Sequence, residues 1–297
     1  MIPATQGKGR APARPLETVT MMKNVLALSC ALMLSAGVVQ AGQRDMISSC
    51  YDMLKVEAPK PTLQREIFVV IDQTTPVDDA QQKALVNDVV AKLAPETAVT
   101  IMTFSAFIGD RYADLAFSGT LDRLPTQAER DDIPKKKLKD LDRCHEAQMQ
   151  FARSKVAETM MGGFGKPIDN IARSDIFSTL KDVSSNIIGT SPAKQKNVLL
   201  ISDMLENSSI TSFYAKNTVR AIDAKAELGK VSAFGDFGGA KVFVAGAGSI
   251  VTTGKKQVET YRDPKTMDAL EAFWREYFSR SNASLTVFGK PSLMGRF

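Results

Sequence analysis

Asp72 ends the apolar run Ile67-Phe68-Val69-Val70-Ile71 and is followed by Gln73, Thr74, Thr75 and Pro76. Asp203 ends a second run, Asn197-Val198-Leu199-Leu200-Ile201-Ser202. Carboxylates and hydroxyls are hard oxygen donors, the ligand type that Mg²⁺ takes in near-octahedral geometry. The same residue types also cap helices and fix turns through their own side-chain oxygens. The sequence leaves both uses open. Other chemistry is poorly supplied. The single histidine, His145, adjoins Cys144, but neighbours on a helix point in different directions, so they are not read as a nucleophile–base pair. No Gly-x-Ser-x-Gly elbow is present. Gly246-Ala247-Gly248 follows an apolar run, yet position 251 is Val, so the dinucleotide fingerprint is incomplete. Lys166 of the stretch Gly162 to Lys166 is followed by Pro167, where a phosphate loop needs Ser or Thr. Position 74 is Thr, so no second carboxylate completes an Asp-x-Asp phosphatase pattern. No catalytic residue is assigned, and the chain is expected not to be an enzyme.

The elements around these residues alternate. Glu66 to Ile71, Ala98 to Phe104, Asn197 to Ser202, Lys241 to Ala245 and Ser284 to Phe288 read as strands, the first as one buried on both faces. Tyr112 to Leu121 reads as a strand that could pair antiparallel with its predecessor through a turn at Ile108-Gly109-Asp110. Helices are predicted from Asp78 or Asp79 to about Leu93, from Lys137 to Met160, and from a cap at Ser174 or Asp175 through Ile187. Two more are predicted over Ile210–Ala224, with Phe213, Tyr214 and Ile222, and over 46–54. Residues 122–136 read as irregular. Pro264 opens a last helix whose Leu270, Phe273, Trp274, Tyr277 and Phe278 form an apolar stripe at i, i+3, i+4, i+7 and i+8, a core face. This alternation predicts an α/β fold: a doubly wound, mostly parallel sheet with helices on both faces and one antiparallel edge strand. In such sheets ligands gather beyond the carboxyl ends of strands where strand order reverses. Asp72 and Asp203 both stand at such ends.

The chain has 297 residues, 44 % apolar and 24 % charged, enough to bury a core. Met21-Met22-Lys23-Asn24, an uncharged stretch Val25 to Val39 and Val39-Gln40-Ala41-Gly42 follow the secretory pattern, with cleavage expected between Ala41 and Gly42. The polar, Pro-rich residues 1–20 suggest that Met21 or Met22 is the true start. The expected divisions are 1–41 (extension and signal peptide), 42–63 (helical segment and linker) and 64–297 (one domain). A periplasmic location is expected, with secretion as the alternative. The whole chain carries +5, from 38 basic and 33 acidic residues; residues 1–41 hold four of the former and one of the latter, leaving 34 against 32. A near-neutral mature chain argues against nucleic acid as a partner. Lys135-Lys136-Lys137-Leu138-Lys139 is flanked by Asp131, Asp132, Asp140 and Asp142 and reads as a solvated helix start. Cys30 lies inside the signal core, too early for a lipid anchor, so no membrane span is expected after processing. Cys50 and Cys144 remain, and in an oxidising compartment two cysteines are expected to pair.

Taken in order, "IFVVIDQTT", "RSDIFSTL", "NVLLISDMLENSS" and "KVFVAGAG" resemble a von Willebrand factor A domain over roughly residues 64 to 289. The resemblance implies a metal-ion-dependent adhesion site built on Asp-x-Ser-x-Ser, a loop threonine and a later aspartate. Asp72 matches the first aspartate and Asp203 the later one. Thr74 keeps the hydroxyl of the first serine, Pro76 stands where the second serine should be and offers no ligand, and Ser174 takes the place of the threonine. The implied metal set is Asp72, Thr74, Ser174 and Asp203, holding Mg²⁺ in a degenerate site. The implied function is non-catalytic binding of a protein partner. Two alternatives are a metal-dependent phosphoryl-transfer or hydrolytic enzyme using Asp72 and Asp203, and a structural component of an envelope secretion or conjugation assembly.

Overall fold

The computed structural model describes residues 45–60, 62–105, 113–165, 174–215, 218–232, 234–251, 258–260 and 263–290. In chain order the elements are α1 (Cys50–Leu54), β1 (Arg65–Asp72), α2 (Asp79–Val90), β2 (Thr97–Phe104), β3 (Asp114–Thr120), α3 (Gln127–Asp131) and α4 (Lys135–Gly163). Then come α5 (Ile176–Val183), continued by a π-helical turn Ser184–Ile188, β4 (Gln195–Ile201), β5 (Tyr214–Ala215), β6 (Thr218–Val219) and α6 (Ala224–Leu228). The chain closes with β7 (Ala240–Ala245), β8 (Ser249–Val251), β9 (Val258–Thr260), α7 (Pro264–Arg280) and β10 (Ala283–Phe288).

Six strands form the main sheet in the order β10-β7-β4-β1-β2-β3. β1 pairs in parallel with β2 and β4, β4 with β7, and β7 with β10; only β3, on the edge, is antiparallel. The α/β class expected from the alternation is the one observed. The pleat sorts the strand residues into two cores. Phe68, Val70, Met102, Val198, Leu200, Val242 and Val244 face α5 and α7. Ile67, Val69, Ile71, Val99, Ile101, Leu199 and Ile201 face α2 and α4. The α7 stripe is buried, with Trp274, Tyr277 and Phe278 fully enclosed. Asp78 caps α2, its side chain accepting from Gln81 N at 2.8 Å, and Asp263 caps α7.

Three local expectations are corrected. Residues 210–224 are not a helix. Among the described residues of this stretch only the two-residue strands β5 and β6 pair, antiparallel, and helix begins only at Ala224. The backbone N–H of Phe213 donates to Glu206 O and that of Arg220 to Phe213 O, so the amides are spent outside any helical ladder. Ile210, Thr211, Thr218 and Val219, stiff at χ1, also disfavour helix. The segment 46–54 is helical only from Cys50, because Met46 N donates to Ser118 O and holds the segment beside β3. Within 122–136, α3 is ordered by a capping box between Thr126 and Glu129.

Cys50 and Cys144 are joined, with Cα atoms 5.7 Å apart, which fastens α1 to α4. The Ala41–Gly42 junction, Cys30, and the 108–110 turn lie outside the described residues. Among the described residues no helix is long and apolar enough to cross a membrane.

Candidate functional site

Strand order reverses between β1 and β4: the chain moves from β1 to β2 and β3 on one side, then to β4, β7 and β10 on the other. The carboxyl ends of β1 and β4 therefore frame the crevice where this architecture binds ligands. Asp72 and Asp203 meet there. Asp72 is 1 % exposed and Asp203 7 %.

Hydroxyls converge on Asp72. Its Oδ1 accepts from Thr74 N at 2.9 Å and Thr74 Oγ1 at 2.6 Å. Its Oδ2 accepts from Ser174 Oγ at 3.2 Å and Ser202 Oγ at 3.1 Å. Ser174 is carried to this point by a short antiparallel bridge to Asn207, N to O at 3.2 Å and 3.0 Å. The helix cap beside it is Asp175, whose side chain accepts from Ser178 N. Asp203 is set by its own loop: Oδ1 accepts from Leu205 N at 2.8 Å, and Tyr214 Oη makes a longer contact of 3.4 Å to Oδ2. Thr75 ties the two loops together, its Oγ1 accepting from Asp203 N at 2.8 Å. Thus all four residues expected from the sequence are in one cluster. Pro76 is buried and has no donor atom to contribute.

Ser202, Thr75 and Tyr214 complete the cluster, and Glu206 supports it from the start of α5; none of the four is a site residue in the sequence reading. Ser202 and Thr75 adjoin the two aspartates, which was the available signal. Glu206 gave none. It is fully buried, and its Oε2 accepts from Ile176 N at 2.9 Å and Phe177 N at 3.1 Å, anchoring the start of α5 two residues beyond Ser174. Met204 adopts φ +60°, an uncommon conformation for a residue with a side chain, and its carbonyl accepts from the indole of the buried Trp274 at 2.9 Å. Gly246, at φ +95°, forms the turn after β7, where a Cβ would lie 3.3 Å from Ser202 O and Thr75 Cγ2. Gly165 passes so close to Gln73 that any side chain there would strike the Gln73 carbonyl.

The electrostatics are those of a buried acidic pair. Burial raises the Asp72 pKa, an effect opposed by hydrogen bonds from Thr74, Ser202 and Ser174. Burial and then the charge of Asp72 push Asp203 well above the usual carboxylate range. Tyr214 is raised by burial and by Asp203. Neither aspartate takes part in an ion pair among the described residues. Such a pair is relieved by a proton or by a cation. The donor set is all oxygen, two carboxylates with hydroxyls from Thr74, Ser174 and Ser202, and it fits a hard divalent ion.

No family model and no curated protein matches the sequence. Among solved structures, the chain resembles the conserved hypothetical protein BatB from Bacteroides thetaiotaomicron at 12 % identity and a TM-score of 0.35, over 75 % of this chain and 90 % of that one. An aerotolerance-related membrane protein from Bacteroides fragilis matches at 13 % identity and 0.34, over 76 % and 92 %. The pilus adhesin SpaC from Lactobacillus rhamnosus GG matches at 12 % and 0.33, over 74 % of this chain and 27 % of the adhesin.

Proposed function

We propose that this chain is an exported, non-catalytic domain of the von Willebrand factor A type that binds a protein partner at the switch-point edge of its sheet. One observation carries the reading. Two buried aspartates converge at the end of β1 and β4 with hydroxyls and backbone amides around them and, among the described residues, no cationic side chain paired to either. Asp72, Asp203, Thr74 and Ser174 would hold a Mg²⁺-type ion, with Ser202 as an added donor. When bound, the ion would neutralise the buried charge and offer a position to an acidic group of the partner. The chain's own residues supply the rest. Ser174, Ser202 and Thr74 orient the Asp72 carboxylate, and Thr75 locks the Asp203 backbone. Pro76 removes a ligand that the adhesion pattern includes, so affinity for the ion is expected to be weak.

The test is calorimetry with Mg²⁺ and Mn²⁺ on the processed wild-type chain and on Asp72→Ala and Asp203→Ala. Saturable binding lost in both variants is expected; heats that do not depend on either aspartate would remove the cation from the reading. Crosslinking pull-down with wild type and the double variant then separates two kinds of contact. A partner retained equally by both points to a structural role in an envelope assembly through another face. A phosphatase assay on wild type and Asp72→Ala tests the enzymatic alternative, and turnover lost in the variant would establish it.

A further inference from the structure

A second cluster of ligand-type residues lies away from the switch point, beneath the N-terminal segment. Cys50 is fully buried and bonded to Cys144. One sulfur of that bond, Cys50 Sγ, together with a carboxylate oxygen of Asp122 and a ring nitrogen of His145, forms a set whose atoms all lie within 4.8 Å of one another. His145 is only 9 % exposed, yet neither of its ring nitrogens has a hydrogen-bond partner. Buried polar side chains are normally bonded at least once. Here Nε2 points toward Asp122 Oδ2 from 4.0 Å, too far for a bond. The ring packs on Tyr51 with centroids 5.3 Å apart. Asp122 is itself fixed, its Oδ2 accepting from Cys50 N at 2.7 Å and Gln148 Nε2 at 2.9 Å. Burial favours the neutral imidazole, the form that ligates metals.

We infer that the Cys50–Cys144 disulfide masks a metal site, and that its reduction releases Cys50 to join His145 and Asp122 as a Cys-His-Asp ligand set for a borderline divalent cation of the zinc class. A disulfide sulfur is a poor ligand and a thiolate a strong one. A dithiol reductant breaks the S–S bond, closing its own disulfide and delivering two electrons and two protons, so that both cysteines become thiols. Cation binding then expels the proton of the Cys50 thiol to water. Around tetrahedral zinc the ligand atoms stand about 3.5 Å apart. The Cys50, Asp122 and His145 atoms, at most 4.8 Å apart, therefore need closure by about 1 Å, while the freed Cys144 sulfur moves off Cys50. Three protein ligands leave the fourth position to water. The segment carrying α1 would then be fastened to α4 by a disulfide when oxidised and by a cation when reduced.

The probe is Co²⁺, with the whole processed chain in the Asp72→Ala/Asp203→Ala background so that the switch-point edge cannot contribute. After reduction with a water-soluble phosphine, one Co²⁺ per chain is expected, with a thiolate-to-cobalt charge-transfer band that the oxidised chain lacks. His145→Ala should weaken Co²⁺ binding at least about 10-fold, the loss that even an outer-shell change produces. Cys144→Ser frees the Cys50 thiol without any reductant and should show the same band, again dependent on His145. Absence of the band from both the reduced chain and Cys144→Ser overturns the inference, as does a band whose affinity His145→Ala leaves unchanged. If reduction unfolds the chain, refolding driven by Zn²⁺ supports the site, and a chain that stays unfolded in excess Zn²⁺ overturns it.

Discussion

Replacing Glu206 by Gln should make the chain more stable in alkali while leaving it nearly unchanged in mild acid. Glu206 is fully buried in the loop after β4 and anchors α5 through two backbone amides. Burial above all pushes its pKa from 4.5 up to about 8, and the charge of Asp175 adds to the rise. The folded chain therefore holds the Glu206 proton more tightly than the unfolded chain does. The stabilisation this gives is fully present below the ordinary value of 4.5 and is lost as pH rises through about 8. The interval corresponds to about 5 kcal/mol. Gln keeps an oxygen for the Ile176 and Phe177 amides and does not titrate. In paired urea unfolding series, the variant-minus-wild-type difference should therefore grow by about 4 kcal/mol between pH 4.5 and 9. Asp72 and Asp203 titrate in both chains and cancel in the difference. A difference that stays constant within about 0.5 kcal/mol across the range, the ordinary additivity error, would refute the reasoning and show Glu206 ionised inside the fold.

The cation reading predicts that Mg²⁺ stabilises more at pH 8 than at pH 5, because proton and ion compete for the raised Asp72 and Asp203 carboxylates. At 100 times the dissociation constant the gain is about 2.7 kcal/mol, read as a thermal shift that both aspartate variants abolish. Cys50→Ser/Cys144→Ser removes a link spanning 94 residues and should cost about 4–5 kcal/mol in urea unfolding with chelator present. A loss under 1 kcal/mol would mean that the contacts of Cys50 N and Tyr51 Oη to Asp122 and Arg123 suffice to hold the segment. Trp274→Phe strips the Met204 carbonyl of its buried donor and leaves a gap, costing about 2–4 kcal/mol. It should also reduce the Mg²⁺ response, since Met204 follows Asp203. Gly165→Ala should likewise lower the response, because its methyl would drive Gln73 and with it the Asp72 loop; an unchanged titration would separate the two loops.

What the sequence discloses and what it hides follow from where each residue finds its partner. β1, β4 and β7 are enclosed on both faces, so their apolar runs are unbroken and read directly. The α7 stripe is legible because all five apolar residues meet one core at helical spacing. Asp72 and Asp203 stand out because a carboxylate that ends such a run lies at a strand's carboxyl end. Residues 210–224 mislead for the complementary reason. Phe213 and Ile222 are as buried as a helix face would make them. Their burial is supplied by the α5–α7 core, while Phe213 N bonds back to Glu206 and Arg220 N to Phe213. Apolar content there marks proximity to a core and says nothing of periodic structure. The hidden part of the site has the same origin. Ser202 acts on a carboxylate 130 positions away and Thr75 on an amide 128 positions away. Pairings of that range are set by the crossover between β1 and β4, so they become visible only when the sheet order is known. Glu206 shows the limit most clearly: nothing around it in the chain distinguishes a solvated glutamate from one that fixes the start of α5. The two aspartates identify the edge, and the crossover determines which hydroxyls reach them.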